Sequence, residues 1–222
     1  GGTSAYTYSW SAGSQTTTTA TGLSAASYIV TVTDNKGCTA TDTSIITQPS
    51  ALTTTINGTN TSCNGVSDGS INLAVIGGVP AYTFIWTGGG VSEDLSNISV
   101  GAYAVTVTDA NGCTTLDSIT ITEPVTLTVS TAQTNALCNG FSDGTATAAG
   151  AGGTSPYTYI WYNPPPAQST ATATGLTAGV WAVTVTDNNT CAATTSVTIT
   201  EPALLAVSTT RTNVSCNGGS DG

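Results

Sequence analysis

Apolar and polar residues alternate through most of this chain. Ile71, Leu73 and Val75 stand two apart, as do Tyr82, Phe84 and Trp86, then Tyr103, Val105 and Val107, and finally Ile119 and Ile121. A period of two puts each set on one face of an extended strand. The runs are short and rich in Thr, Val and Ile, residues that fit a pleated surface. Turn clusters bound them: Cys63-Asn-Gly-Val-Ser-Asp-Gly69, Gly77-Gly78-Val79-Pro80 and Asp109-Ala-Asn-Gly112. No stretch carries the period of an amphipathic helix. Roughly seven short strands, with turns about every 8–12 residues, predict an all-β chain built of immunoglobulin-like antiparallel β-sandwiches.

The pattern repeats. The cluster at Cys63 returns at Cys138 and Cys216, and Thr-Val-Thr-Asp runs to Cys38, Cys113 and Cys191. The two series share their steps: 113 − 38 and 138 − 63 both give 75, and 191 − 113 and 216 − 138 both give 78. A tandem array in extended form is expected, cut from a longer one at both ends. Boundaries at Pro49, Pro124 and Pro202 give a truncated first repeat over 1–49, a second over 50–124, a third over 125–202 and the start of a fourth over 203–222. The three extra residues of the third repeat fall between Trp161 and Trp181, where Pro164-Pro165-Pro166 reads as a surface loop.

Within each repeat the aromatic triplet (Tyr6, Tyr8, Trp10; Tyr82, Phe84, Trp86; Tyr157, Tyr159, Trp161) reads as core. Trp10, Trp86 and Trp161 are expected to be mostly buried, with Tyr28, Tyr103 and Trp181. Ile98-Ser-Val-Gly-Ala-Tyr103 looks like a tyrosine corner. In the third repeat Trp181 stands in place of Tyr, and an altered corner is expected there because indole accepts no hydrogen bond.

Charge narrows the functions open to the chain. Charged residues are 6% of the total and the net charge is −10, with Lys36 and Arg211 the only basic side chains. Nucleic-acid binding needs several cations against phosphate, so no nucleic-acid partner is expected. No apolar run reaches the roughly 18 residues of a spanning helix, so membrane insertion is not expected. There is no His, which removes His-based general-base catalysis and His-metal sites. No catalytic set emerges, and the chain is read as no enzyme. Two Cys per repeat, never in a Cys-x-x-Cys pair, read as disulfides made in an oxidising compartment.

Four phrases taken together resemble SprB-type repeats: Cys-Asn-Gly-x-Ser-Asp-Gly, Gly-Gly-x-x-x-Tyr-Thr-Tyr-x-Trp, Val-Thr-Val-Thr-Asp-x-x-Gly-Cys and Ile-Thr-Glu-Pro. Such repeats occur in very large cell-surface adhesins of Bacteroidota, including the filamentous adhesin of gliding motility. The resemblance implies export by the type IX secretion system, an extracellular place on the cell surface, and adhesion to surfaces or polysaccharide. Thr190 departs from it, standing where the family has Gly.

Three sets of residues are candidates for chemistry. Asp68 and Asp187 are candidate calcium ligands, since end-to-end stacking would bring a first turn near the last hairpin of the next repeat; their bland reading is turn chemistry, and no other cofactor is expected. Tyr6, Tyr82 and Tyr157, nearest the loop, are candidate glycan contacts. Cys38, Cys63, Cys113, Cys138, Cys191 and Cys216 are the disulfide candidates, with three pairings open. Cys63 with Cys113 would span a sandwich, roughly 25 Å end to end, against the Cα separation of about 4.4–6.8 Å that a disulfide needs. Cys113 with Cys138 needs a fold-back at Pro124. Cys63 with Cys191 fits end-to-end stacking; Cys38 and Cys113 would then pair upstream, and Cys138 and Cys216 downstream, outside these residues.

The expected function is a structural and adhesive stalk that forms a cell-surface filament or fibre for attachment or gliding. A carbohydrate-binding surface module is the alternative, and a spacer on a secreted enzyme a third. The expected partners are other repeats or copies of the same protein, which Thr-rich edges short of charge would allow to associate, and a surface or polysaccharide target.

Overall fold

The computed structural model describes residues 1–162 and 167–222; the Pro164-Pro165-Pro166 loop lies outside the described residues. The described residues are strands and turns, without helix. They gather into two compact units. One comprises Gly1–Ile56, Leu73–Glu93 and Ala104–Asp117; the other comprises Asn57–Asn72, Asp94–Tyr103 and Ser118–Gly222.

In chain order the strands are β1 (Thr7–Trp10), β2 (Ala26–Thr33), β3 (Thr39–Ile46), β4 (Thr53–Thr59), β5 (Gly69–Ile76), β6 (Thr83–Trp86), β7 (Leu95–Ile98), β8 (Gly101–Thr108), β9 (Thr114–Ile121), β10 (Thr128–Thr134), β11 (Gly144–Ala151), β12 (Thr158–Tyr162), β13 (Thr172–Leu176), β14 (Gly179–Thr186) and β15 (Ala192–Ile199). The third repeat forms two antiparallel sheets, β10-β11-β13 and β12-β14-β15. The second repeat has the same order, β4-β5-β7 and β6-β8-β9. Numbered within a repeat, the first, second and fourth strands form one sheet and the third, fifth and sixth the other. This is the immunoglobulin order without its fourth strand, D. The chain is therefore all-β, with tandem immunoglobulin-like sandwich repeats.

Six strands, rather than the roughly seven expected, make up the second repeat. Between Trp86 and Leu95 the chain runs without a strand, and β7 pairs directly with β5, Ile71 opposite Leu95 and Gly69 opposite Ile98, with a register shift between Gly69 and Ser70. Gly88 and Gly89, both at positive φ, turn the segment where a further strand would run.

Alternation builds the core. On β14, Trp181, Val183 and Val185 point inward, and they pack with Trp161 of β12, Val197 and Ile199 of β15, Ala146 and Ala148 of β11, and Ala173 and Leu176 of β13. The counterparts of Ala146 and Ala148 on β5 are Ile71 and Leu73, both buried. The third repeat thus has smaller side chains on its second strand and, at Trp181, a larger one than Tyr103 on its fifth.

The aromatic expectations divide. Trp86, Trp161 and Trp181 are buried, whereas Trp10, Tyr28 and Tyr103 are half-buried. For the first two the reason is the sheet itself. β1-β2-β3 is a single sheet, β3 is exposed throughout, and rings on one sheet keep an open side.

The corner at Trp181 is not altered as expected. Tyr103 Oη donates to the carbonyl of Ser99 at 2.9 Å and Tyr28 Oη to that of Ser24 at 2.9 Å. Trp181 Nε1 donates to the carbonyl of Thr177 at 3.1 Å, also four residues back. The bond needs a donor, and indole supplies one. The strand tryptophans satisfy their own N–H groups in the same way: Trp10 on Thr17, Trp86 on Ser92 and Trp161 on Thr170, each on a carbonyl of the variable loop.

Candidate functional site

Two of the recurring phrases, Cys-Asn-Gly and Glu-Pro, bind each other. In the turn after β4, Gly65 N–H donates to Glu123 Oε2 at 2.7 Å, Asn64 Nδ2 donates to the carbonyl of Pro124 at 3.2 Å, and Thr126 Oγ1 donates to Asn64 Oδ1 at 2.9 Å. The third repeat copies this arrangement. Gly140 N–H donates to Glu201 Oε2 at 2.7 Å, and Asn139 Nδ2 to Glu201 Oε1 at 2.9 Å and to the carbonyl of Pro202 at 3.2 Å. Cys-Asn-Gly is thus the seat of Glu-Pro, and it pins the segment that leaves each repeat. The turn is closed from inside by an aspartate: Asp68 Oδ1 accepts from Ser62 N–H at 2.9 Å, and its other oxygen accepts a short hydrogen bond from Ser62 Oγ. The Ser62 hydroxyl, more than its amide, holds the Asp68 carboxyl below its ordinary value.

The hairpin between the last two strands is built on a second aspartate. Asp187 is buried. Its Oδ1 accepts from Asn189 N–H at 2.9 Å and Cys191 N–H at 2.9 Å, and its Oδ2 from Thr154 N–H at 2.7 Å. Asp109 does the same with Asn111, Cys113 and Val79. The Val79 N–H is the main cause that lowers the Asp109 carboxyl below its ordinary value, with the Cys113 and Asn111 amides behind it and burial opposing. Asp34 is lowered likewise, first by Thr3 and then by Cys38.

Turn and hairpin meet once within the second unit. Cys63 and Cys191 are joined by a disulfide with Cα atoms 5.8 Å apart, across 128 residues. Asn189 Nδ2 donates to the carbonyl of Ser62 at 2.9 Å, and the carbonyl also lies 3.4 Å from Cys191 Sγ. Of the three pairings left open by the sequence, the structure forms this one, between the first turn of the second repeat and the last hairpin of the third. Cys38, Cys113, Cys138 and Cys216 are free thiols, all exposed.

The other candidates are placed as follows. Asp68 lies in the turn and Asp187 in the hairpin that this bond joins, and each engages its oxygens within its own repeat; among the described residues no group of three or more Cys, Asp or Glu is arranged to hold a metal ion. Tyr82 and Tyr157 are half-buried, and their hydroxyls donate at 2.6 Å to the carbonyls of Gly77 and Gly152. Tyr6 is exposed and donates to Gly1 at 3.1 Å. Beside the disulfide lies a cleft of about 710 Å³ whose walls carry Thr59, Thr61, Glu123, Thr154 and Asn189.

Glu123, Glu201, Asn64 and Asn139 are the residues that sequence reasoning missed. The signal was recurrence alone: Asn64 returns as Asn139, 75 residues on, and Glu123 as Glu201, 78 residues on.

The SprB repeat family model matches residues 55–91 and 130–166. Each match opens on the first strand of a repeat and runs through the cysteine turn and the double-glycine turn to the tryptophan strand. No curated protein matches the chain. Among solved structures, a Dscam structure on isoform specificity is 15% identical with a TM-score of 0.32, covering 79% of this chain and 54% of that one. The amphioxus IgVJ-C2 molecule is 15% identical with a TM-score of 0.30, covering 66% and 96%. DIP-gamma IG1+IG2 is 10% identical with a TM-score of 0.35, covering 70% and 98%. The chain thus spans about half of the Dscam structure's length. Strand order, not these likenesses, carries the fold, and the matched ranges take in the cysteine turns and the strands beside them.

Proposed function

We propose that the chain is a length of an extracellular, load-bearing stalk, displayed on a cell surface as a filament or fibre and used for attachment or gliding. The SprB-type phrases extend the proposal to a Bacteroidota adhesin exported by type IX secretion. The observation that carries it is the Cys63–Cys191 bond. A bond between a turn of one repeat and a hairpin of the next adds nothing to either core. It transmits force past the polypeptide that links them. An oxidising exterior, where disulfides persist, is the compartment in which this works.

Single-molecule stretching tests the proposal. With the bond intact, the residues between Cys63 and Cys191 stay out of the extension. Reduction releases about 440 Å of extra contour length, at roughly 3.4 Å for each residue enclosed. A force-extension trace unchanged by reduction would refute load-bearing. The hydroxyl- and amide-lined cleft beside the bond favours the second reading, a carbohydrate-binding module. Binding of soluble oligosaccharides by the free chain, lost on changing Glu123 and Asn189, would favour it over a plain stalk.

A further inference from the structure

We propose that the cleft beside Cys63–Cys191 takes neutral, hydroxyl-rich glycans, and that the disulfide is its latch: the oxidised chain binds them and the reduced chain does not. The proposal rests on the carbohydrate reading of that cleft, not on the stalk reading.

The cleft lies wholly within the second compact unit. One wall comes from the second repeat, through Thr59, Ser62 and Glu123; the other comes from the third, through Thr154 and Asn189. Asn189 Nδ2 crosses between them to the carbonyl of Ser62 at 2.9 Å, and the disulfide stands one residue beyond Ser62 and two beyond Asn189. The bond therefore holds the two walls in register at the edge of the cleft.

The walls carry hydrogen-bonding groups that the fold does not use. Glu123 Oε2 accepts from Gly65 N–H, and its Oε1 has no partner among the described residues. The corresponding Glu201 engages both oxygens with its own turn. Asn189 donates through Nδ2 to Ser62 and to Thr154 Oγ1, which leaves Asn189 Oδ1 free to accept and the Thr154 hydroxyl free to donate. Acceptors from two repeats facing one cleft suit a ligand that brings several donors close together, as adjacent sugar hydroxyls do. Charge sets the class. Neither Lys36 nor Arg211 lines the cleft, and the chain carries −10. A uronic acid or a sulfate ester would meet Glu123 with no cation to pair it. No aromatic ring lines the cleft among the described residues. Without a stacking platform, binding depends on acceptors preorganised at a fixed spacing, and the disulfide fixes it.

Reduction frees the walls to shift against each other. Disulfides persist in oxidising compartments and not in the cytosol, so the site is completed only in the former. The step is exchange with a dithiol. Its two thiolates attack in turn, it closes to its own disulfide, and Cys63 and Cys191 are released as thiols that carry its two protons.

Calorimetric titration of the full oxidised chain tests the proposal, with neutral tetrasaccharides of glucose, galactose and mannose, and with tetragalacturonate. At least one neutral sugar should bind, about tenfold or more tighter than the galacturonate. Glu123→Gln keeps an oxygen for Gly65 N–H but removes the charge and the free acceptor; it should weaken the neutral sugar and narrow its lead over the anionic one. Thr154→Val keeps the N–H that holds Asp187 and should weaken binding at unchanged melting temperature. Dithiothreitol, or Cys63→Ser with Cys191→Ser, should weaken binding about tenfold while the β-sheet circular dichroism is kept. By linkage, saturating sugar should then shift the equilibrium with a dithiol buffer about tenfold toward the disulfide, or about 30 mV. Binding that ignores Glu123→Gln and Thr154→Val, or galacturonate bound as tightly as the neutral sugars, overturns the site and leaves the carbohydrate reading standing. Binding unchanged by reduction overturns the latch. Failure of every sugar to bind overturns this inference and the carbohydrate reading together, and leaves the stalk reading to the stretching experiment.

Discussion

Thr190 has φ at +70°, where the corresponding hairpin positions are Gly37 at +84° and Gly112 at +81°. A β-branched residue pays for that conformation in steric strain, and glycine does not. Thr190→Gly should therefore stabilise the third repeat by about 1 kcal/mol, net of glycine's extra unfolded-state entropy, read as a higher denaturation midpoint at unchanged slope. An unchanged or lower midpoint would mean that the threonine makes compensating contacts. The aspartates of the turns set the response to acid. Asp34, Asp68, Asp109 and Asp221 all have folded-state values below that of an ordinary aspartate. A lowered carboxyl stabilises the fold above its unfolded value, and that stabilisation is lost as pH falls through the folded one. The melting temperature should be nearly flat from neutral pH to about 5 and fall below about 4. In Asp109→Asn it should start lower at neutral pH and fall less steeply in acid, because the group that accepts from Val79, Cys113 and Asn111 no longer titrates. A melting temperature that rises on acidification would contradict the assignment.

Strands were readable from sequence because burial enforces a period of two. Val105 and Val107 alternate with half-buried Thr106, and the alternation that predicts β8 is the one that fills its core face. The turns were readable because Asn-Gly and Asp-Gly carry their own backbone chemistry. Three things were not. The missing fourth strand leaves no trace, since Gly88 and Gly89 look like ordinary turn residues. The half-burial of Trp10 depends on whether a second sheet covers it, which a local pattern does not encode. The seat of Glu-Pro on Cys-Asn-Gly joins segments about sixty residues apart by a few hydrogen bonds, and the recurrence of both phrases does not say that they touch. That seat is testable. Asn64→Ala and Glu123→Ala should each cost about 1 kcal/mol, the usual worth of a hydrogen bond. Because both act by docking one turn on one segment, the double variant should cost less than the two singles together, by about 0.5 kcal/mol or more. Strict additivity would mean that the two bonds hold independent pieces.

The tie between the second and third repeats leaves a thermodynamic mark. The Cys63–Cys191 bond encloses β5 through β14, so that strands of the second repeat and nearly all of the third lie inside one covalent loop. Closing a loop of that length removes about 5 kcal/mol of unfolded-state entropy in the chain-entropy model, and native disulfides more often deliver about 2–4 kcal/mol. The loop also changes which states are reachable. With the bond intact, the third repeat cannot unfold without keeping one end held at the turn of the second, so opening either repeat restricts what the other gains by opening. With the bond reduced, each repeat unfolds against its own core, and the two cores differ: Ile71 and Leu73 fill one where Ala146 and Ala148 with Trp181 fill the other. Differential scanning calorimetry of the oxidised chain should show the two repeats melting at a higher temperature and closer together. The Cys63→Ser, Cys191→Ser double variant should melt lower and in more widely separated steps, and the same separation should appear when the parent chain is reduced. A double variant that melts like the oxidised parent, in position and in width, would show that the bond decorates the junction without coupling its two sides.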